Sequence, residues 1–113
     1  MHIDDYNFGQ IVVDNKTYTS DLIIYPHRID ASWWREEGHL LQKADLRDVI
    51  AAKPNILVIG TGAMGVMKVP ESTVAFLQSQ GITVIIEKTG KAVETFNTMT
   101  GRKKIIGAFH LTC

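Results

Sequence analysis

Six consecutive residues, Gly60-Thr61-Gly62-Ala63-Met64-Gly65, spell G-x-G-x-x-G directly after the apolar run Ile56-Leu57-Val58-Ile59. In a dinucleotide-binding unit such glycines let the backbone turn tightly and approach a pyrophosphate held at a helix N-terminus. Glu87 closes the next apolar run, where such a unit carries its ribose-binding acid. Pro70 argues against that chemistry. A helix opening inside the glycine motif would hold Pro70 in its interior, at a cost of about 3 kcal/mol. The helix is therefore expected to start at Pro70, with Val66-Met67-Lys68-Val69 irregular or extended before it. That separates helix from glycines, and no nicotinamide or flavin cofactor is expected.

A simpler chemistry survives the loss of the fingerprint. Gly60, Thr61 and Gly62 follow one apolar run, and Thr89, Gly90 and Lys91 follow the next, Ile82 to Ile86. If the two runs are neighbouring parallel strands, both turns open at the edge where α/β sheets bind ligands. Backbone N–H groups, the Lys88 and Lys91 ammonium groups and a helix start at Thr89 would suit a small anion. Asn97 and Arg102 are further candidates for that site, Arg102 only if the last strand runs antiparallel. The competing reading is that the glycines make turns and Thr89 caps a helix.

The remaining reactive residues do not assemble in sequence. His2, His27, His39 and His110 lack metal-ligand spacing, and His110 with Cys113 gives two ligands at most, so no metal site is expected. A thiol at position 113 is a poor candidate for a fixed, activated nucleophile. Asp4-Asp5 and Glu36-Glu37 are adjacent pairs whose side chains diverge, which leaves general acid–base work unsupported. No catalytic residue is assigned. Trp33 and Trp34 are different: adjacent tryptophans do not readily enter one core together, so either one anchors a loop while the other forms an interaction surface, or both are tucked under the loop.

The elements that must position these residues follow from periodicity. With 113 residues, 45% of them hydrophobic, the chain has material for one core and one domain, residues 1–113. Phe8 to Val13, the turn-like Asp14-Asn15-Lys16 and Thr17 to Thr19 read as a hairpin, with Leu22 to Tyr25 as a further strand. This β region covers about residues 8–25. Residues 26–44 show little periodicity. An α/β core then spans about residues 45–113. Its first helix is capped by Asp45, with Leu46, Val49 and Ile50 on one face and Lys53-Pro54 at its end. Ile56 to Ile59 suits a strand buried on both faces. A helix from Pro70 turns Val74, Ala75 and Leu77 inward and ends at Gly81 in a Schellman arrangement. Ile82 to Ile86 is a second buried strand. A helix capped by Thr89 carries Ala92, Val93, Phe96 and Met99 and ends at Gly101, and Ile105 to Phe109 is the last strand. The fold class is α/β, with a mixed, mainly parallel central sheet, flanking helices and an added N-terminal hairpin.

Charge and composition set the partners. Twelve basic residues balance twelve acidic ones, which argues against nucleic-acid and membrane-surface binding. The N-terminal residues lack a signal-peptide pattern, and the longest apolar run is far too short to span a bilayer. A single cysteine fits a reducing compartment, and the expected location is the cytoplasm.

Further stretches are Phe8-Gly9, Trp34-Arg35-Glu36 with Gly38-His39, Leu57 to Gly62, and Lys68-Val69-Pro70 with Ser72-Thr73-Val74. They continue through Gly81-Ile82, Thr89, Ala92-Val93, Phe96-Asn97, Arg102, Gly107 to His110 and Thr112-Cys113. In these stretches the chain resembles the adipogenesis-associated domain family, which includes the mitochondrial complex I assembly factor three. The resemblance implies a layered α/β fold with a mixed sheet and no established catalysis, in a family whose roles in complex assembly or cell differentiation run through partner proteins. The third glycine of the dinucleotide-like motif is not part of the family's pattern. The expected function is a binding or assembly module with a protein partner; the alternative is a small-molecule (anion) binding protein or enzyme using the Gly60 to Gly62 loop.

Overall fold

Two apolar periodicities, alternation in the strands and three-to-four spacing in the helices, sort the side chains onto two faces of one sheet. The computed structural model describes residues 1–101 and 103–113. Its strands are β1 (Ile3–Asn7), β2 (Gln10–Val13), β3 (Lys16–Tyr18), β4 (Leu22–Ile24), β5 (Ile29–Asp30), β6 (Ile56–Thr61), β7 (Thr83–Glu87) and β8 (Ile105–His110). The helices are α1 (Arg47–Ala52), entered through a 3-10 turn at Lys43–Leu46, α2 (Glu71–Ser79) and α3 (Thr89–Met99). β1, β2 and β3 form a small antiparallel sheet, and the others a sheet ordered β5-β4-β8-β6-β7. That sheet is mixed: β6 pairs parallel with β7 and β8, while β4 pairs antiparallel with β5 and β8.

Three layers result. On one face Ile23, Leu57, Ile59, Ile106 and Ala108 meet Leu46 and Val49 and, from α2, Leu77. On the other face Leu22 and Ile24 of β4 join Val58 and Phe109 against α3 and the small sheet, through Phe96, Ile3 and Ile11. The chain steps from β6 to β7, then back across β6 to β8. Right-handed crossovers in opposite directions along a sheet put their helices on opposite faces, as α2 and α3 are. Among the described residues no helix is long and apolar enough to cross a membrane.

Several local expectations need correction. The expected hairpin is the β2–β3 part of a three-stranded sheet, with Asp14 and Asn15 at positive φ in its turn; Phe8-Gly9 is itself a turn joining β1 to β2. Residues 26–44 contain β5, and the first helical segment starts before Asp45, whose carboxylate accepts the Gln42 N–H at 2.9 Å. Pro70 is the N-cap of α2, and Thr73, with a hydroxyl bonded to the Leu41 carbonyl, takes the buried position expected of Ala75. The Schellman end is present, with Gly81 N–H on the Gln78 carbonyl and Ile82 N–H on that of Leu77. β7 is an edge strand with exposed Thr83 and Ile86, where full burial was expected.

Candidate functional site

Because α2 and α3 leave β6 and β7 toward opposite faces, the carboxyl ends of these strands bound the kind of crevice in which α/β sheets bind ligands. The glycine turn and the start of α3 meet there. Gly62 N–H donates to Thr89 Oγ1 at 2.8 Å, and Thr89 N–H to the Gly62 carbonyl at 3.0 Å. The Thr89 hydroxyl donates in turn to the His110 carbonyl at 2.6 Å, so it joins three strand ends and does not cap its own helix; Lys88 holds the N-cap position. A Cβ at Gly60 would lie 2.8 Å from that hydroxyl oxygen and 2.9 Å from the Phe109 ring, which explains the glycine there.

The crevice is occupied by the chain itself. Ala63 N–H donates to the Thr112 carbonyl, and Met64 and Val66 N–H groups both donate to that of Cys113. Gly65 and Met67 N–H groups bond the Gly62 and Thr61 carbonyls. Gly62 adopts φ +108°, and a Cβ on it would fall on the Cys113 backbone. Of the donors expected to meet an anion, Gly62 N–H is thus taken by the Thr89 hydroxyl, and the N–H groups just after the turn, those of Ala63, Met64 and Val66, are taken by Thr112 and Cys113. Of the other candidates at this edge, Gly90 and Lys91 are exposed on the first turn of α3. Asn97 is elsewhere: its amide accepts the Ile3 N–H at 2.9 Å and donates to the Ile3 carbonyl at 2.8 Å, tying α3 to β1. Arg102 lies outside the described residues.

Beside this turn lies an ionic cluster missed at the sequence level. Arg35 Nη2 is 2.7 Å from Asp21 Oδ2, and His110 Nδ1 is 2.8 Å from the same oxygen. Asp21 Oδ1 accepts the Leu111 N–H at 2.8 Å, and Arg35 also donates to the Gly38 carbonyl. Burial pushes the Asp21 carboxyl up, but the bonds from His110, the Leu111 amide and Arg35 outweigh it and hold it down at about 2. With that carboxylate as acceptor, His110 Nδ1 carries the proton and donates it. His110 Nε2 and Arg35 Nη1 are buried and find no partner among the described residues. Among the described residues no hydroxyl or thiol is in hydrogen-bond reach of Nε2. The visible work of the Asp–His pair is to hold the segment after β8 against β4. The three residues are up to 89 positions apart, and only the family resemblance, which includes Arg35 and His110, marks two of them.

The tryptophans divide. Trp33 is buried and its Nε1–H donates to the Asp45 carbonyl at 3.0 Å, while the Arg35 guanidinium lies 4.6 Å from its ring centroid. Trp34 is 75% exposed. It borders a groove of about 390 Å³ that Asp30, Glu36, Asp45 and Asp48 line, with Arg47 as its one cation among the described residues. Among those residues no group of three or more His, Cys, Asp or Glu side chains is placed to hold a metal ion.

This architecture recurs in solved structures. A conserved hypothetical protein from Pyrococcus horikoshii is 25% identical, with all of both chains covered and a TM-score of 0.86. A protein titled an outer membrane protein of Bartonella henselae is 22% identical over 98% of this chain and 94% of its own, with a TM-score of 0.82. A Bordetella pertussis protein described as an Mth938-like domain is 17% identical over 97% and 85%, at 0.77. The sequence profile of the family described as "Protein of unknown function (DUF498/DUF598)" matches residues 3–110. On that match, which takes in both sheets, all three helices and the ionic cluster, the chain belongs to the DUF498/DUF598 family.

Proposed function

We propose that the chain is a non-catalytic binding module, and that it docks a protein segment carrying Lys or Arg on the groove beside Trp34. One observation carries this reading: a large aromatic ring, three-quarters exposed, stands over four carboxylates and one cation. Tryptophan is a frequent interface anchor and the best aromatic partner for a cation. The carboxylates make no ion pair with a Lys or Arg among the described residues; Asp30 and Asp45 accept backbone N–H groups, and their negative charge stays uncompensated for an incoming cation. The resemblance to adipogenesis-associated domains and to a respiratory-complex assembly factor supports a role exercised through protein partners. The absence of a nucleophile beside His110 supports binding over catalysis.

The test is titration of a short Arg- and Leu-containing peptide, and of its Glu counterpart, followed by intrinsic fluorescence. The basic peptide should bind and lose at least about tenfold in affinity with Trp34→Ala, in line with anchor residues at interfaces. Equal binding of both peptides, or no effect of Trp34→Ala, would overturn the reading. The alternative, an anion at Gly60 to Gly62, requires the ligand to displace the Thr89 hydroxyl from Gly62 N–H, with Thr112 and Cys113 holding the N–H groups of the neighbouring Ala63, Met64 and Val66.

A further inference from the structure

At the opposite edge of the sheet, where β8 begins and β4 ends, lies a second and larger groove of about 770 Å³. Its chemistry is the reverse of the Trp34 groove. Arg28, Lys103 and Lys104 line it, with no Asp or Glu among the described lining residues. This is unusual in a chain whose charges balance. All three cations are exposed, and none makes an ion pair among the described residues. Phe96 and Ile105, both buried, and Ala52 give the groove an apolar floor. The volume lies in the range of sites for small organic molecules, which combine apolar walls with a few polar groups.

Tyr25 supplies the second observation. It is 4% exposed, lines both this groove and the Trp34 groove, and its hydroxyl has no well-aligned hydrogen-bond partner among the described residues, the Arg28 side chain being the cation that acts on it. A buried, unsatisfied hydroxyl is costly, and a ligand acceptor would remove that cost. Burial raises the phenol's pKa above its usual value, against the lowering pull of Arg28, so it stays protonated and able to donate. The tight turn that follows, with Tyr25 N–H on the Arg28 carbonyl at 2.8 Å, places the Arg28 guanidinium 3.8 Å from the Tyr25 ring centroid. The ring thereby fixes a cation beside the unsatisfied donor.

We propose that this groove binds a small amphipathic organic anion, a carboxylate or phosphate on a hydrocarbon body, with Arg28 and Lys103 on the charge, the Tyr25 hydroxyl donating to it and Phe96 and Ile105 against the apolar part. Arginine and lysine suit such a head group through charge-assisted hydrogen bonds. The Trp34 docking surface is not needed for it.

The test uses monomeric octyl phosphate as probe in titration calorimetry, with octyltrimethylammonium and inorganic phosphate as comparisons. Octyl phosphate should bind, inorganic phosphate at least about tenfold more weakly for want of the apolar part, and the ammonium not at all. R28A/K103A should bind at least about tenfold more weakly, with the urea midpoint lowered by no more than about 0.5 M for the lost Arg28–Tyr25 stacking. Tyr25→Phe should weaken octyl phosphate about two- to tenfold while raising the free protein's midpoint, since it removes an unsatisfied hydroxyl. Binding of the ammonium as tightly as of the phosphate, or full affinity in R28A/K103A, would overturn the proposal. Binding only to vesicles containing phosphatidylglycerol, and not to monomeric octyl phosphate, would also overturn it, replacing a groove with a membrane surface. A lower midpoint in Tyr25→Phe would show that the hydroxyl is satisfied and remove it from the site.

Discussion

Removing the Phe109 ring is the sharpest test of how the layers are held together. The side chain is fully buried in β8, the strand that joins β4 to β6. Its ring meets Phe96 of α3 edge-on, with centroids 5.8 Å apart and planes at 79°. It also fills the space left by the missing Cβ of Gly60. Phe109→Ala should therefore cost about 3–5 kcal/mol, the range for emptying a core aromatic site. A chain of this length has a total stability of about 6–17 kcal/mol, so the variant would lose a large share of it. In urea, with a slope of about 2 kcal/mol per molar, the unfolding midpoint should fall by about 2 M. The edge-on pair should add a coupling of about 0.5–1.5 kcal/mol in a cycle with Phe96→Ala. Should Phe109→Ala not fold, Phe109→Leu should still fold with a loss of about 1 kcal/mol. A loss well under 1 kcal/mol in Phe109→Ala would refute the claim that this ring locks the central strand to α3. Strict additivity with Phe96→Ala would refute the contribution of the pair.

Two glycines and one carboxylate give further tests. Gly62→Ala should lower thermal stability by several degrees, because it combines a positive φ with a Cβ on the Cys113 backbone, whereas Gly90→Ala, open and helical, should be neutral or slightly stabilising. Equal effects would refute the close packing of residue 113 on the glycine turn. Asp21 has a folded pKa of about 2 against an ordinary value of 3.8, so its contribution is present above pH 4 and lost as pH falls from about 4 to 2. Allowing for partial exposure, this is about 1 kcal/mol, and Asp21→Asn should flatten urea stability across that window. An unchanged pH profile in Asp21→Asn would show that the carboxyl is not held ionised by its partners.

What could be read from sequence was what local periodicity encodes. The parallel strand β6, the late start of α2 after Pro70 and the Gly81 helix end all follow from residues within a few positions of one another. β1 escaped because Ile3-Asp4-Asp5-Tyr6-Asn7 reads as polar, and its backbone is satisfied mainly by pairing with β2. β5, two residues long, has no period to detect. The edge position of β7 is a property of strand order, and its apolar run looks like that of a central strand. Thr89 matched the capping preference of its residue type, yet tertiary packing directed its hydroxyl to Gly62 and His110. The meeting of the glycine turn with the start of α3 was legible from strand and turn spacing. The filling of that crevice by Thr112 and Cys113 was not, and neither was the assembly of Asp21, Arg35 and His110 from three distant parts of the chain.

The position of β8 also bears on how the protein emerges from the ribosome. β4 and β6 flank the strand that is synthesised after both, so neither can complete its pairing while the nascent chain still ends before residue 105. At about 5–20 residues per second, roughly 4–17 s separate the appearance of β4 from that of β8. During that interval Leu22, Ile23 and Ile24 lack their main-chain partners Gly107, Ala108 and Phe109, and β6 has an open, apolar edge. Such an edge is where nascent chains pair wrongly with one another. The sheet can close only when β8 arrives, so the last strand made is the one that covers the edges of the two before it.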